Sequence, residues 1–567
     1  MTIELSTTAE LGDAERADDG MKRWVPAGLI AALAVAVAVV LVAPEGSPPR
    51  PALSPSPPAG PSFLRAACEL PERWASYIYR GWKPGAGRAA DVVLVPHEGN
   101  YAGSQTYTSH AGPYGYLQDV PLIFYGPGLI KAVGRIDLDR EVTLADVAPT
   151  QAALTDFDMG GRDGTPLLAV LEDDAPPPRV IVTISVDGGG SNVLERWRGR
   201  WPNLERLMTE GASIENAVVG TSPSITPPAH TTMSTGLYPR VHGVTGIGIR
   251  ASATEIVGAF ARRPDTGGAG VADPRINLHT ETFADLWDRT VDNRAQVALV
   301  ASGNYPLGFL GMGAAAAGAD RDIAAMSTAG KGWATNPKFY RLPPYVHEQR
   351  GPERDLRATD LLDGRRDGRW REHDIPLEGS PALASWQNRV VEAILEREGF
   401  GDDDVTDLMY IHHKAPDIAG HRWNMIAPEQ GDVIASVDAA IEETRQWLDR
   451  EIGVGGYVLI VTADHGQTPL NIGTPISMTE VRKDIDERFD KKDNGVSLVQ
   501  RSSPTSLFMN RREMARNDVG PRAMPKFLLN YTAADNGLQD VPQEPLFRAA
   551  FPGAFVKRVR SCASGPD

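Results

Sequence analysis

Carboxylates, imidazoles and one hydroxyl recur in this chain where they could do chemistry together. VIVTISVDGGG puts Asp187 directly after an apolar run, and YVLIVTADHG does the same for Asp464 and His465. MYIHHKAPDIAGH carries Asp417 and His421 on a D-x-x-x-H spacing, which places both on one face of a helix. Carboxylates mixed with imidazoles suit zinc or a similar borderline divalent cation. Thr226 stands in T-x-P-x-H within TSPSITPPAHTTMSTG, just before an expected helix start at HTTMSTG. A hydroxyl at a helix N-terminus beside a cation can ionise and attack phosphorus. Each motif also has a plain structural reading. A strand-end Asp can cap the next helix, and Thr226 or Ser224 can be only an N-cap. All of them in this order are hard to explain as caps.

The elements that must hold these residues are short apolar runs alternating with helical patterns. DVVLV (91–95), PLIFYG (121–126), VIVTISV (180–186), QVALVA (296–301), DLMYIH (407–412) and YVLIVTA (457–463) read as strands. Runs this continuously apolar suit a mostly parallel sheet covered on both faces. Helices are expected over 385–398 and 432–452, the second with apolar residues at helical spacing. The pattern is that of an α/β, doubly wound domain with helices on both faces, which binds ligands beyond the carboxyl ends of its strands. Residues 248–375, rich in Gly, Ala, Asp and Arg, are expected as a cap or a set of long loops. EDDAPPPR (172–179) reads as an acidic linker, and no internal repeat is visible.

Together these motifs resemble the alkaline phosphatase superfamily, most closely its type I phosphodiesterase/nucleotide pyrophosphatase branch. The resemblance implies two zinc ions in one site. It assigns Asp187, Thr226, Asp464 and His465 to one metal, and Asp417 and His421 to the other. The second metal then lacks a histidine that family members supply after D-H-G, and no histidine follows His465 in this chain. Family members carry a segment like TSHAGPYGYLQDVPLIFYG near their C-terminal end; here it spans 108–126, upstream of everything else. VTLADVAPTQAALTDF (142–157) likewise resembles the family's final helix. A circular permutation accounts for both, with His110 as the missing ligand. Residues 63–171 are then the displaced C-terminal segment, joined through 172–179 to a main segment over 180–567. In such a chain Cys68 and Cys562, its only cysteines, become neighbours and form a disulfide. The alternatives are a coincidental apolar repeat with His110 in a loop, and two unpaired thiols.

The implied mechanism is phosphoryl transfer through a phospho-threonine on Thr226. Departures from the family touch specificity. Ile247 and Ala229 stand where relatives have asparagines, and ASGNYPLG (301–308) lacks the K-x-R of a monoesterase branch. Asn304, His413 and Lys414 are candidates for holding the phosphoryl oxygens. A phosphodiesterase or nucleotide pyrophosphatase is therefore expected. Its rivals are a phosphomonoesterase, a phosphotransferase acting on cell-envelope lipid or glycan head groups, and an inactive surface-binding module.

The rest of the chain sets the setting. Residues 24–43 hold no charge across 20 positions, enough for a helix of about 30 Å and a bilayer core. An uncleaved anchor is expected rather than a signal peptide. Lys22 and Arg23 place residues 1–23 in the cytosol and the catalytic domain outside, at the cell membrane. The eight prolines of 44–62 make that segment a semi-rigid spacer. A net charge of −16 argues against binding a nucleic-acid duplex, though not against small phosphorylated substrates. No protein partner is expected.

Overall fold

The structure is a computed structural model that describes residues 62–83, 88–102, 108–260, 274, 277–328, 332–349, 351–469, 473–503, 505–538, 541 and 543–563. The expected cytosolic tail, the anchor at 24–43 and the spacer up to residue 61 lie outside them. Among the described residues no helix is long and apolar enough to cross a membrane.

The strands of the two principal sheets are, in chain order, β1 (Val92–Pro96), β2 (Leu122–Tyr125), β3 (Gly134–Ile136), β4 (Val180–Val186), β5 (Ala212–Ile214), β6 (Val297–Ser302), β7 (Ile323–Ser327), β8 (Trp333–Ala334), β9 (Asp407–His413), β10 (Tyr457–Thr462), β11 (Val499–Ser503), β12 (Ser506–Met509) and β13 (Phe547–Pro552). The helices needed here are α1 (Phe63–Cys68), α2 (Thr226–Thr235), α3 (Pro381–Arg397), α4 (Ala415–Trp423), α5 (Pro428–Glu451) and α6 (Val556–Ala563).

A nine-stranded sheet runs β8-β7-β6-β9-β4-β10-β2-β5-β3. Its central strands β7, β6, β9, β4 and β10 are parallel, whereas β2 pairs antiparallel with both β10 and β5. Burial explains why these strands read as unbroken apolar runs. Ile181, Leu299, Leu408, Tyr410 and Ile460 pack on one face with Val147, Met233 and Phe283. Val182, Ile184, Val300, Ile411 and Val461 pack on the other with Val390, Ile394, Val437 and Ile441 of α3 and α5. Alternate residues thus enter opposite cores, and neither face of these strands is open to water. Each such side chain contributes about 1.5–3 kcal/mol by leaving water.

Two expectations are corrected. DVVLV does not join the parallel sheet. As β1 it lies in a separate four-stranded sheet, β11-β12-β1-β13, paired antiparallel with β12 and β13. Its residues are as apolar as those of the main strands, so hydrophobicity could not tell one sheet from the other. Nor is 248–375 only a cap or a set of long loops. Beyond the expected strand at 296–301, which is β6, strands β7 and β8 complete one edge of the main sheet, and helix Glu353–Asp360 packs on α3. Its small residues, such as Ala324 and Ala325 of β7, are core. The 172–179 linker is pinned at its ends, with Glu172 N–H donating to Leu129 O and Arg179 N–H to Gly456 O.

Cys68 and Cys562 are bonded, with Cα atoms 5.4 Å apart and 494 residues between them in sequence. The bond ties α1 to α6, and the pairing of β1 with β13, with Val92 opposite Pro552 and Pro96 opposite Phe547, binds the same two ends into one sheet. Replacing both cysteines by serine should lower stability by about 2–5 kcal/mol. Denaturant unfolding compared with and without reductant would read this directly, and the double variant should lose its sensitivity to reductant.

Candidate active site

Strands β9, β4 and β10 are adjacent and parallel, so their carboxyl ends open at one edge of the sheet, and the candidate residues collect there. Asp187 follows β4, while Asp464 and His465 follow β10. Asp417 and His421 lie one turn apart on α4, the helix that leaves β9. Thr226 opens α2. Its hydroxyl is not a cap: it donates to Asp187 Oδ2 at 3.3 Å, and the Ser224 hydroxyl donates to Gly112 O at 3.1 Å.

His110 arrives from the front of the chain and reaches the same place. Its Nε2 stands 3.3 Å from Asp417 Oδ1, and its ring stacks on His465 with centroids 3.5 Å apart. The segment carrying it is held by backbone and side chain alike. Thr468 N–H donates to Ser109 O, and Gln118 donates to Gly112 O and Thr221 O while accepting from Gly220 N–H. Gln118 thereby fixes the His110 loop against the loop leading to Thr226. It is 1% exposed, so its three side-chain bonds are made in a dry setting where an unmade one would be costly.

The three imidazoles share one arrangement. His110 Nδ1 lies 3.0 Å from Ser224 O, His421 Nδ1 lies 2.8 Å from Thr108 O, and His465 Nδ1 lies 3.1 Å from Gly466 O. A carbonyl oxygen only accepts, so each Nδ1 carries the proton and each Nε2 lone pair points into the site. Facing them are carboxylate oxygens that also only accept. Asp187 Oδ1, Asp417 Oδ1, Asp464 Oδ2 and His465 Nε2 are buried and have no hydrogen-bond partner. Such atoms cost free energy unless a cation joins them. Within 4.8 Å of one another stand Asp187, Asp464 and His465 in one group, and His110, Asp417 and His465 in the next. His421 Nε2 is 3.3 Å from Asp417 Oδ1. The donor set and its orphaned lone pairs fit divalent cations, and carboxylate with imidazole is the chemistry of zinc among them.

The other carboxylate oxygens are already engaged. Asp187 Oδ2 accepts from Thr226, from His412 Nε2 at 2.7 Å and from Lys414 Nζ at 3.0 Å. Asp417 Oδ2 faces Lys414 Nζ at 2.6 Å, and Asp464 Oδ1 accepts from Gly188 N–H at 3.0 Å. Each carboxylate is thus bonded to protein through one oxygen and presents the other. Burial alone would raise the pKa of Asp187, but Lys414 and His412 bring it below the usual carboxylate range. Burial likewise works against Asp417, and His421 and Lys414 hold it well below that range. Asp464 goes well above it, because burial and the Asp187 charge outweigh the pull of Lys414. Burial and the neighbouring His110 lower His465 to about 3.

His412 and His230 were missed by the sequence reading. His230 Nε2 pairs with Ser185 Oγ at 2.9 Å beneath the site and is 3.9 Å from Asp464 Oδ2. The signal for His412 was the doubled I-H-H at a strand end: successive residues face opposite ways, so one of the two had to point at Asp187. His413, the residue singled out, takes the other side, where burial lowers it to about 3. Asn304 sits in the loop after β6, and its carbonyl accepts from Leu307 N–H. Lys414 alone of those three candidates reaches the cluster.

Residues 181–526 match the type I phosphodiesterase / nucleotide pyrophosphatase family. The chain belongs to this family. It is a phosphoester hydrolase of the alkaline phosphatase superfamily. Among curated relatives, a calcium-transporting ATPase of Myroides odoratus is 23% identical over 396 residues, which are 60% of this chain and 71% of that protein. Alkaline phosphatase PafA of Elizabethkingia meningoseptica is 19% identical over 393 residues, covering 60% and 70%. A crystal structure of wild-type PafA aligns with a TM-score of 0.49 and 14% identity over 67% of this chain and 85% of that one.

The glycines after Asp187 serve packing within the protein. Gly188 has φ +68°, and a Cβ there would lie 2.7 Å from Gln467 Nε2 and 3.0 Å from Asp417 Cα. At Gly190 a Cβ would lie 2.5 Å from Gly466 Cα. The loop therefore passes close to α4 and to the D-H-G turn, bringing their carboxylates together. Gly188→Ala should cost about 1–3 kcal/mol in backbone strain. It should also lower turnover at least about tenfold by moving Asp417 away from Asp187, read as a drop in melting temperature together with kcat.

Proposed function

We propose that this phosphoester hydrolase is a two-metal phosphodiesterase that works through a phospho-threonine on Thr226. The observation that carries the reading is the set of buried lone pairs on Asp187, Asp417, Asp464 and His465 that no hydrogen-bond donor among the described residues satisfies. Asp187, Asp464 and His465 would hold one divalent ion next to Thr226, and Asp417, His421 and His110 the other, most simply both zinc. Bound there, the ions supply Lewis-acid charge for the attacking and leaving oxygens of an in-line displacement.

The protein's own groups supply the rest. The hydrogen bond from Thr226 to Asp187 Oδ2 fixes where the hydroxyl proton sits and which way the oxygen lone pairs point. Thr226 Oγ forms a bond to phosphorus as the ester oxygen departs and is protonated. Water then attacks the phospho-threonine, the P–Oγ bond breaks and Thr226 regains its proton. Buried walls exclude bulk water from the two steps, which strengthens each charge contact.

Circular permutation is part of the same proposal. It is supported by the family match beginning at residue 181, by β2 lying beside β10, and by His110 reaching the site from upstream. A monoesterase is the second reading, favoured by one observation: an ammonium, Lys414, stands within the cluster. We further propose that the substrate is a small phosphate ester met outside the cell, with the chain anchored through residues 24–43.

Purified full-length protein loaded with zinc should hydrolyse bis-p-nitrophenyl phosphate faster than p-nitrophenyl phosphate. Thr226→Ala should lose at least about 1,000-fold on both while keeping its metal. Retained turnover in that variant would remove Thr226 from the mechanism. His110→Ala should lose about one metal ion per chain by elemental analysis, since its Nε2 would be a direct ligand. Unchanged metal content would argue against His110 as a ligand, and so against the permutation.

A further inference from the structure

Among the described residues Lys414 brings the ammonium to the cluster, and two of its three N–H donors are engaged. One reaches Asp187 Oδ2 at 3.0 Å and a second Asp417 Oδ2 at 2.6 Å. An ammonium has three donors and no acceptor, so one N–H remains. The Lys414 side chain is 18% exposed whereas those of Asp187 and Asp417 are 0% and 4%, so of the three residues it stands nearest solvent. Asp187 Oδ2 also accepts from the Thr226 hydroxyl. Lys414 Nζ and Thr226 Oγ1 are therefore neighbours across a single oxygen. A phosphoryl group attached to Thr226 has its non-bridging oxygens within reach of that remaining donor.

Resting on the phosphoryl-transfer reading of the site, we propose that Lys414 is a catalytic residue that binds a non-bridging oxygen of the transferred phosphoryl group and sets the enzyme's preference between phosphate monoesters and diesters. The geometry assigns it a role that no other cation in the cluster can take. Ile247 lies away from the cluster, lining a small cavity with Ser222, Thr245 and Phe508, and its carbonyl is taken by Ala259 N–H. A monoester carries one more negative charge on its non-bridging oxygens than a diester, and a charge-assisted hydrogen bond discriminates in favour of it. Lys414 cannot swing away at no cost, because its departure takes the ammonium from Asp417 Oδ2 and leaves Asp187 Oδ2 with Thr226 and His412 only. It is held ready for the phosphoryl oxygen before substrate arrives, which is what electrostatic stabilisation requires.

The test uses the zinc-loaded full-length protein, Lys414→Met and Lys414→Arg. Kinetics on p-nitrophenyl phosphate and bis-p-nitrophenyl phosphate, inhibition by inorganic phosphate and elemental metal analysis are measured on all three. The proposal expects Lys414→Met to keep its metal, to lower the monoester-to-diester ratio of kcat/KM by about 10- to 100-fold, and to weaken phosphate inhibition by a similar factor, the worth of one charged hydrogen bond. Lys414→Arg, which keeps the charge, should recover part of the ratio. An equal fall on both substrates with loss of metal would overturn it, leaving Lys414 as a counter-charge for the carboxylates. Calorimetry separates this from the nucleophile question: inorganic phosphate should bind zinc-loaded Thr226→Ala about 10- to 100-fold more tightly than Thr226→Ala/Lys414→Met. Equal binding by the two would overturn the proposal even if Thr226 is the nucleophile, and unequal binding would sustain it even if Thr226 is not.

Discussion

Everything around the active site answers to a concentration of like charge that the protein itself does not neutralise. Asp187, Asp417 and Asp464 are buried side by side, and among the described residues Lys414 is the permanent cation paired with them, bonding Asp187 and Asp417. Carboxylates so placed repel one another strongly where water does not screen them, and the opposite shifts of Asp187 and Asp464 express that repulsion. A protein that meant only to be stable would not assemble them. The arrangement is affordable because each carboxylate is bonded through one oxygen to a fixed donor, and because the inner oxygens and imidazole Nε2 atoms form a ready seat for divalent charge.

The scaffold explains how that arrangement survives. Three parallel strands deliver their ends to one edge, and their side chains enter apolar cores on both faces, so the strand ends are fixed to within the tolerance of core packing. The loops beyond them are short and drawn together by glycine. Where the chain must bring a group from far away in sequence, as with His110, it uses buried polar staples such as Gln118 rather than apolar contact. Directional bonds specify the position of one imidazole more sharply than hydrophobic contact does.

The ends of the chain follow the same logic at lower precision. The small antiparallel sheet pairs a strand from near the start with one from near the end, and the Cys68–Cys562 bond closes them covalently. With the two ends held, His110 and the Asp464–His465 pair belong to one neighbourhood. A continuous chain order is then no requirement for a continuous site.

By itself the sequence determined what had a local cause. Buried parallel strands need unbroken apolar runs, so β4, β6, β9 and β10 were legible, and so were the polar residues that follow them. The i, i+4 spacing fixed Asp417 and His421 on one face of α4. The two cysteines and His110 were singled out through family resemblance, which called for a disulfide between the chain ends and for a histidine within TSHAGPYGYLQDVPLIFYG. What tertiary structure decided was everything that rests on partners distant in sequence. Whether DVVLV joined the large sheet or the small one depended on which edge received it, and its apolar residues suited both. Whether 248–375 formed a cap or a sheet edge depended on whether small residues met a core. His412 and His413 were equivalent as letters; strand alternation turned one toward Asp187 and the other away. Lys414 became part of the site only when two carboxylates from different elements closed on its ammonium, a contact of charges that pattern and propensity do not encode.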